Sequence, residues 1–329
     1  MKAVRLHAAG DLRVEDLPEP GAPGPGEVSL KVLAAGICGS DVHNFRTGQW
    51  LTGTPRVAGH EFSAEVVAVG GGVAGLAPGD RVVADSRFWC GDCDACRAGR
   101  RNLCRRLGFV GEVCDGGFAP FTVLPARLVE KVPAGTDPVA AAMAEPLAVA
   151  LHAIRRLPVP AGAPVLVAGC GPIGGLVALL VSRLHDGPLL VADRNAARLA
   201  LVAGETGAEP IDLADGAGRV RHAFDATGSV AVVEALVRGL GGGGGLCLVG
   251  ISHGAFPLDP NLLVEREIAL VGSHAFTDEL PEVVAMLEGL SPALRRFVDG
   301  EHGLDDAPAA YARIIAGEAT GLKTILRPV

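Results

Sequence analysis

Cys90, Cys93, Cys96 and Cys104 crowd one polar loop, CGDCDACRAGRRNLC (90–104), at the spacing C-x2-C-x2-C-x7-C. Four thiolates so placed can close a tetrahedral shell around Zn²⁺ with no open position, which predicts a structural metal. A disulfide framework would suit a secreted chain. An iron–sulfur cluster calls for a spacing such as C-x2-C-x2-C-x3-C-P. A second group of donors lies upstream: Cys38, in Cys38-Gly39-Ser40-Asp41-Val42-His43, and His60, in Gly59-His60-Glu61. Thiolate and imidazole fill two positions of an open zinc site, a carboxylate can fill the third, and water or substrate takes the fourth. Glu61 and Glu145 are the candidate carboxylates.

A third pattern binds no metal. Gly169-Cys170-Gly171-Pro172-Ile173-Gly174 matches G-x-G-x-x-G between the strand-like VLVA and an apolar helical stretch. The glycines allow a tight turn and close approach of backbone to a pyrophosphate, whose charge the free N–H groups of the helix start would meet. Asp193 ends the next strand-like run, nineteen residues beyond Gly174. A carboxylate there can accept from both hydroxyls of an adenine ribose and repels a 2′-phosphate, so NAD is favoured over NADP, with Arg194 beside it as the opposing signal. Cys170 reads as a small residue of the turn.

Elements must position these groups. The first third of the chain reads as short β segments with Gly/Pro punctuation: AVRLH (3–7), EVSLKVLAAGIC (27–38), FSAEVVAVG (62–70), RVVADS (81–86) and FTVLPARLVEKV (121–132). From Asp137 and Pro138 the pattern turns helical, and then strands and helices alternate. APVLVAG (163–169), PLLVAD (188–193), HAFDATG (222–228), GLCLVG (245–250) and EIALVGS (267–273) read as buried strands of a parallel sheet. GLGGGGG (239–245) reads as a loop, and from about residue 290 no further full βαβ unit is expected.

The 329 residues are enough for two domains, and 49% hydrophobic with 20% charged residues is a globular composition. A net charge of −8 argues against binding a phosphate backbone, so no nucleic-acid partner is expected. The start, MKAVRLHAAGDL, has no apolar h-region, and runs such as GLVALLVSRL (175–184) are too short for a bilayer. A cytoplasmic chain without membrane partners is the expectation.

Taken together, ICGSDVH (37–43), GHEFSAEVVAVG (59–70), GDRV (79–82), the four-cysteine lobe, DGGFAPFTVLPA (115–126), AEPLAVALHA (144–153), GCGPIGG (169–175) and DATG (225–228) resemble the zinc-dependent medium-chain dehydrogenases, the alcohol and polyol dehydrogenase family. The resemblance covers essentially the whole chain. It implies an α/β fold: a GroES-like β-rich catalytic domain over 1–140 with a C-terminal tail 290–329, and a Rossmann doubly wound parallel sheet over 141–289, the active site in the cleft. It implies two zinc ions per chain and NAD as cofactor. Cys38 and His60 match two catalytic ligands. Glu145 sits in the EPL context of sorbitol-dehydrogenase-like members, where Glu61 serves as ligand or alternate. Asp41 matches the carboxylate that orients the histidine, Ser40 the hydroxyl that takes the substrate proton, and His43 the group that passes it on. The implied reaction is hydride transfer between a secondary alcohol (a polyol, cyclitol or vicinal diol) and NAD, in a homodimer or homotetramer. A dehydrogenase of simple alcohols is the alternative. A non-catalytic NAD(P)-binding relative would lack the Cys38/His60/Glu145 set. Asn44 and Phe45 depart from the pattern, since polyol dehydrogenases often carry an aromatic directly after the histidine at 43.

Overall fold

The computed structural model describes residues 1–252 and 254–328; Val329, the end of the expected tail, lies outside them. The chain divides into two compact units, Met1–Glu145 with Leu280–Val329, and Pro146–Glu279. The sequence reading sets these divisions at 140/141 and 289/290. The second differs because the helix Leu280–Arg296 packs on the short helix Pro138–Ala142 and the strand Val129–Lys131, and so belongs to the first unit.

In the first unit, seven strands form one sheet. Glu27–Gly36 lies at its centre, between Glu61–Val69 and the last strand, Lys323–Arg327, and also pairs with Phe121–Pro125. Alternation carries the core: Val28, Leu30, Val32 and Ala34 of the central strand are buried, and Val4, Phe62, Val66, Phe118 and Leu124 join them. Two antiparallel pairings set the site. Gly36 lies opposite Glu61 and also opposite Ile325. The residues just after Gly36, just before Glu61 and just before Ile325 therefore converge at one end of the sheet. The strand expected over 27–38 stops at Gly36, and Cys38 becomes the N-cap of the helix Gly39–Thr47.

The expectation for the C-terminal stretch is corrected. Val298–Gly303 and Lys323–Arg327 pair in parallel, with the helix Ala307–Ala316 between them, which is a full βαβ unit within the first sheet. VDGEHG is polar and glycine-rich, so it carries no apolar run by which to recognise it.

In the second unit, six parallel strands take the Rossmann order, in which Val165–Ala168 and Leu189–Ala192 are interior neighbours. Their four-residue apolar runs are wholly buried, as a two-sided sheet requires. The expected helix 195–207 runs from the Asn195 cap, whose side chain accepts from the Arg198 N–H, to Gly207 in the left-handed conformation. One expectation fails: the strand Ala269–Gly272 is the sheet's edge, with Ala269, Leu270 and Gly272 exposed. An apolar run does not distinguish a central from an edge strand.

The helical stretch from Pro138 is two helices, Pro138–Ala142 and Ala144–Arg156, broken at Met143. The second places His152 against Glu279, Nδ1 to Oε1 at 2.9 Å, and Glu279 Oε2 accepts from the Thr277 N–H at 2.6 Å. Burial raises the Glu279 carboxyl, but His152 and the backbone donor outweigh it and hold the group near a pKa of about 2. A depressed carboxylate contributes stability that is present above its unfolded value and lost as pH falls towards the folded one. Glu279→Gln should therefore cost about 1–3 kcal/mol at pH 7. The difference from wild type should shrink below pH 4.5, as urea titrations at several pH values would show; a constant difference would refute the ionic contribution.

Candidate active site

Cys38 caps the helix Gly39–Thr47, and His60 directly precedes the strand Glu61–Val69. Ligand atoms of Cys38, His60 and Glu61 lie within 4.8 Å of one another. Thiolate, imidazole and carboxylate are a donor set suited to an open zinc site. Asp41 braces two of them: its Oδ2 accepts from the Cys38 N–H at 2.9 Å, and its Oδ1 lies 3.5 Å from His60 Nδ1. That leaves His60 Nε2 facing the site, 3.5 Å from Ser40 Oγ. Burial opposes a charge on His60, yet the negative charges of Asp41 and Cys38 prevail and raise its pKa well above the ordinary value.

Glu145 stands outside this ligand group. Its Oε1 accepts from the Ser86 hydroxyl at 2.5 Å, and both residues are buried. Burial pushes the Glu145 carboxyl up to about 7, with His60 pulling against it and Glu61 adding to it. Glu61 is itself paired with Lys323, whose Nζ donates to its two oxygens at 2.8 and 2.5 Å and lies 3.4 Å from the Ile37 carbonyl. His43 lies on the outer side, its Nε2 2.9 Å from Gln49 Oε1 and 3.1 Å from Thr47 Oγ1, with its ring 4.2 Å from that of Trp50.

The DGGF run explains how His60 is held. The Gly117 and Phe118 N–H groups donate to the Gly59 and Ala58 carbonyls at 2.8 and 2.9 Å, and Asp115 Oδ1 accepts from the Val57 N–H at 3.0 Å. Three successive residues before His60 are thereby clamped.

The four-cysteine loop folds on itself, and all four sulfurs lie within 4.8 Å of one another. Cys104 and Cys96 stand 3.4 and 3.9 Å from Cys90, sulfur to sulfur. A zinc–sulfur tetrahedron has edges of about 3.8 Å, so the quartet fits. Backbone N–H groups of Cys90 and Arg106 point at Cys104 Sγ, each at 3.3 Å. Backbone donors from Arg105 and Cys96 lower the Cys93 thiol to about 6, which favours the thiolate.

In the second unit, the turn after Val165–Ala168 starts the helix Pro172–Leu184, with Gly171 as N-cap and Pro172 at its first position. A Cβ at Gly174 would lie 1.7 Å from the Gly169 carbonyl oxygen, so only glycine lets the helix approach the strand. A Cβ at Gly171 would meet nothing within 4 Å, which leaves space beside the N-terminus of the helix. Ile173 follows within the first turn. Asp193 accepts from Cys170 N–H at 2.6 Å through one oxygen and from Asn195 N–H at 2.7 Å through the other. A carboxylate has about four acceptor positions, so two remain for ribose hydroxyls. Arg194 is exposed. Cys170 is buried, and burial with Asp193 beside it pushes its thiol up to about 12, which suits a packed turn residue and not a nucleophile.

The sorbitol dehydrogenase of Halalkalibacterium halodurans is 30% identical over 339 aligned positions, covering 98% of this chain and 97% of that one. The chain belongs to the zinc-dependent medium-chain dehydrogenase family. Residues 24–134 match the alcohol dehydrogenase GroES-like domain. The crystal structure of 2R,3R-butanediol dehydrogenase from Bacillus subtilis superimposes with a TM-score of 0.91 at 32% identity, over 100% of this chain and 99% of that one. A protein from Sinorhizobium meliloti, described as a zinc-binding dehydrogenase and bound to NADP, gives 0.93 at 30% identity over 99% of both chains. As a member of this family the chain is an oxidoreductase.

For a medium-chain dehydrogenase, three site residues escaped the sequence reading. Lys323 lies 262 residues from Glu61, and no local pattern links them. Ser86 ends the run RVVADS without a motif of its own. Glu112 accepts at Oε1 from Asn44 Nδ2 at 2.9 Å, and only the departure at Asn44 drew attention to this place.

Proposed function

We propose that this chain is a zinc-dependent, NAD-linked dehydrogenase that interconverts a secondary alcohol of the polyol, cyclitol or vicinal-diol class with its ketone. The observation that carries the reading is the convergence of Cys38, His60 and Glu61, with the Ser40 hydroxyl 3.5 Å from His60 Nε2. Relatives named for sorbitol and butanediol support the substrate class. When bound, zinc makes an alcohol oxygen acidic near neutral pH, and a nicotinamide accepts the hydride. Cys38 and His60 would hold the catalytic metal, with Glu61 as third donor and Glu145, whose carboxyl feels the charges of His60 and Glu61, as its alternate. Asp41 fixes the His60 tautomer so that Nε2 points into the site. Ser40 takes the proton from the substrate hydroxyl. His43, one turn further on the same helix face, passes it outward, a task suited to an imidazole. Cys90, Cys93, Cys96 and Cys104 hold a second zinc, which ties down a lobe with little core of its own.

Gly169, Gly171, Pro172, Ile173 and Gly174 form the pyrophosphate turn, and Asp193 reads the ribose. Asp193→Ser should lower the ratio of kcat/KM for NAD to that for NADP by roughly 10-fold or more, because a hydrogen bond to a charged group contributes about 1.5–3 kcal/mol. An unchanged ratio would leave the choice of cofactor to other residues, Arg194 first among them. A screen of NAD reduction against hexitols, inositols, vicinal diols and simple secondary alcohols tests the substrate class; turnover confined to simple alcohols would favour the alternative. The exposed edge strand Ala269–Gly272 supports a homodimer or homotetramer, since an open sheet edge offers unpaired N–H and C=O groups to a second copy. A cytoplasmic setting accords with eight free cysteines. Among the described residues no helix is long and apolar enough to cross a membrane.

A further inference from the structure

A carboxylate stands beside the proposed reacting centre with no role in it. Glu112 lies in the turn after the short strand Gly108–Phe109. A Cβ at its neighbour Gly111 would lie 3.0 Å from the Gly59 nitrogen, so this turn packs against the segment that delivers His60. The carboxylate is held from the other side by Asn44. Asn44, 3% exposed, donates to Glu112 Oε1 at 2.9 Å and accepts the Trp50 N–H at 3.1 Å. Trp50 in turn packs on His43. Thr52 Oγ1 donates to the Glu112 carbonyl at 3.3 Å, a further tie between the turn and the segment after the helix. Asn44 lies four residues after Ser40, one helical turn along the same face. Burial raises the Glu112 carboxyl, and the charge of His60 and the Asn44 hydrogen bond work against it. Among the described residues no cation forms an ion pair with Glu112.

A half-buried carboxylate held by an amide and lacking a counter-ion has acceptor capacity to spare. We infer that Glu112, positioned by Asn44, is a specificity-determining residue that accepts a hydroxyl or ammonium group of the substrate away from the reacting carbon and rejects a carboxylate there. The substrate is then a neutral polyol or an amino alcohol, and not an aldonic acid. The chemistry is one-sided: a fixed carboxylate accepts from O–H or N⁺–H, but against a second carboxylate it offers like-charge repulsion in a partly desolvated place. This inference rests on the reading of Cys38, His60 and Glu61 as the reacting centre.

The test takes the best polyol of the screen, its aldonate with a carboxylate at the terminal carbon remote from the reaction, and the corresponding 1-amino-1-deoxy derivative. Each kcat/KM is divided by that of the same protein for 2-butanol, which has no second polar group. Wild type should rank amine and polyol above aldonate, by at least 10-fold for polyol over aldonate. Glu112→Gln keeps an acceptor for Asn44 and removes only the charge; it should reduce the polyol-to-aldonate ratio at least 10-fold and remove the advantage of the amine. Ratios within 2-fold of wild type, or a wild type that prefers the aldonate, would overturn the inference. Failure of the underlying reading looks different: then neither 2-butanol nor any polyol reduces NAD with wild-type protein.

Discussion

Cys38→Ser lowers turnover by at least about 10³-fold, or about 4 kcal/mol of transition-state stabilisation, while the dissociation constant for NAD stays within 2-fold. The hydroxyl of serine is a poor substitute for a thiolate as zinc ligand, and the proposed catalytic metal would be held by only three protein groups, so losing one would empty or distort the site. The proposed nucleotide turn is built from other residues, Gly169 to Gly174 with Asp193, and Cys38 is not among them. Metal analysis should find two zinc ions per wild-type chain and one in the variant, since the four-cysteine lobe is untouched. Retained turnover, or two zinc ions in the variant, would refute the role of Cys38. A single zinc in fully loaded wild type would refute the catalytic metal altogether.

The second large effect lies in stability. Lys323 and Glu61 are 2% and 1% exposed, and both Glu61 oxygens accept from the ammonium. Burial works against the lysine charge, and Glu61 and Cys38 outweigh it, so the ammonium is held in its charged form. With the proposed catalytic zinc absent, removing one member strands the other charge in a place water does not reach. Lys323→Met should cost about 3–5 kcal/mol of unfolding free energy. The double variant Lys323→Met with Glu61→Leu should recover most of that loss, because replacing a buried pair by apolar groups is close to neutral. Urea unfolding of the wild type, single and double variants measures this. A single variant within about 1 kcal/mol of wild type, or a double variant worse than the single, would contradict the account.

Lys323 also shows where reading a sequence stops. It stands in the C-terminal run GLKTILRPV, which carries an apolar strand pattern and no metal motif. Its place at the site follows from the pairing of Lys323–Arg327 with Glu27–Gly36, which in turn pairs with Glu61–Val69. Register of this kind depends on which faces are buried together, and residues far apart in the chain decide it. The missed βαβ unit near the C-terminus has a related cause. Its first strand is polar, and none of its residues is fully buried, so it has little apolar surface to bury. The misread strand Ala269–Gly272 is the converse, with an apolar run at an open edge.

Local spacing alone determined a good deal. The quartet at 90, 93, 96 and 104 pointed to four thiols gathered in one lobe, because a short loop can bring its own thiolates together without help from the rest of the fold. G-x-G-x-x-G likewise pointed to a tight turn between strand and helix, since its glycines answer to sterics within a few residues. Cys38, Ser40, Asp41 and His43 lie on a single helical turn and its cap, so their mutual placement was legible. Only tertiary structure decided which glutamate joins Cys38 and His60, that Glu61 is neutralised by Lys323, and that Asn44 reaches across 68 residues to hold Glu112. Those contacts cross the sheet and its loops, and their energies come from burial and charge in places that no single stretch of chain creates.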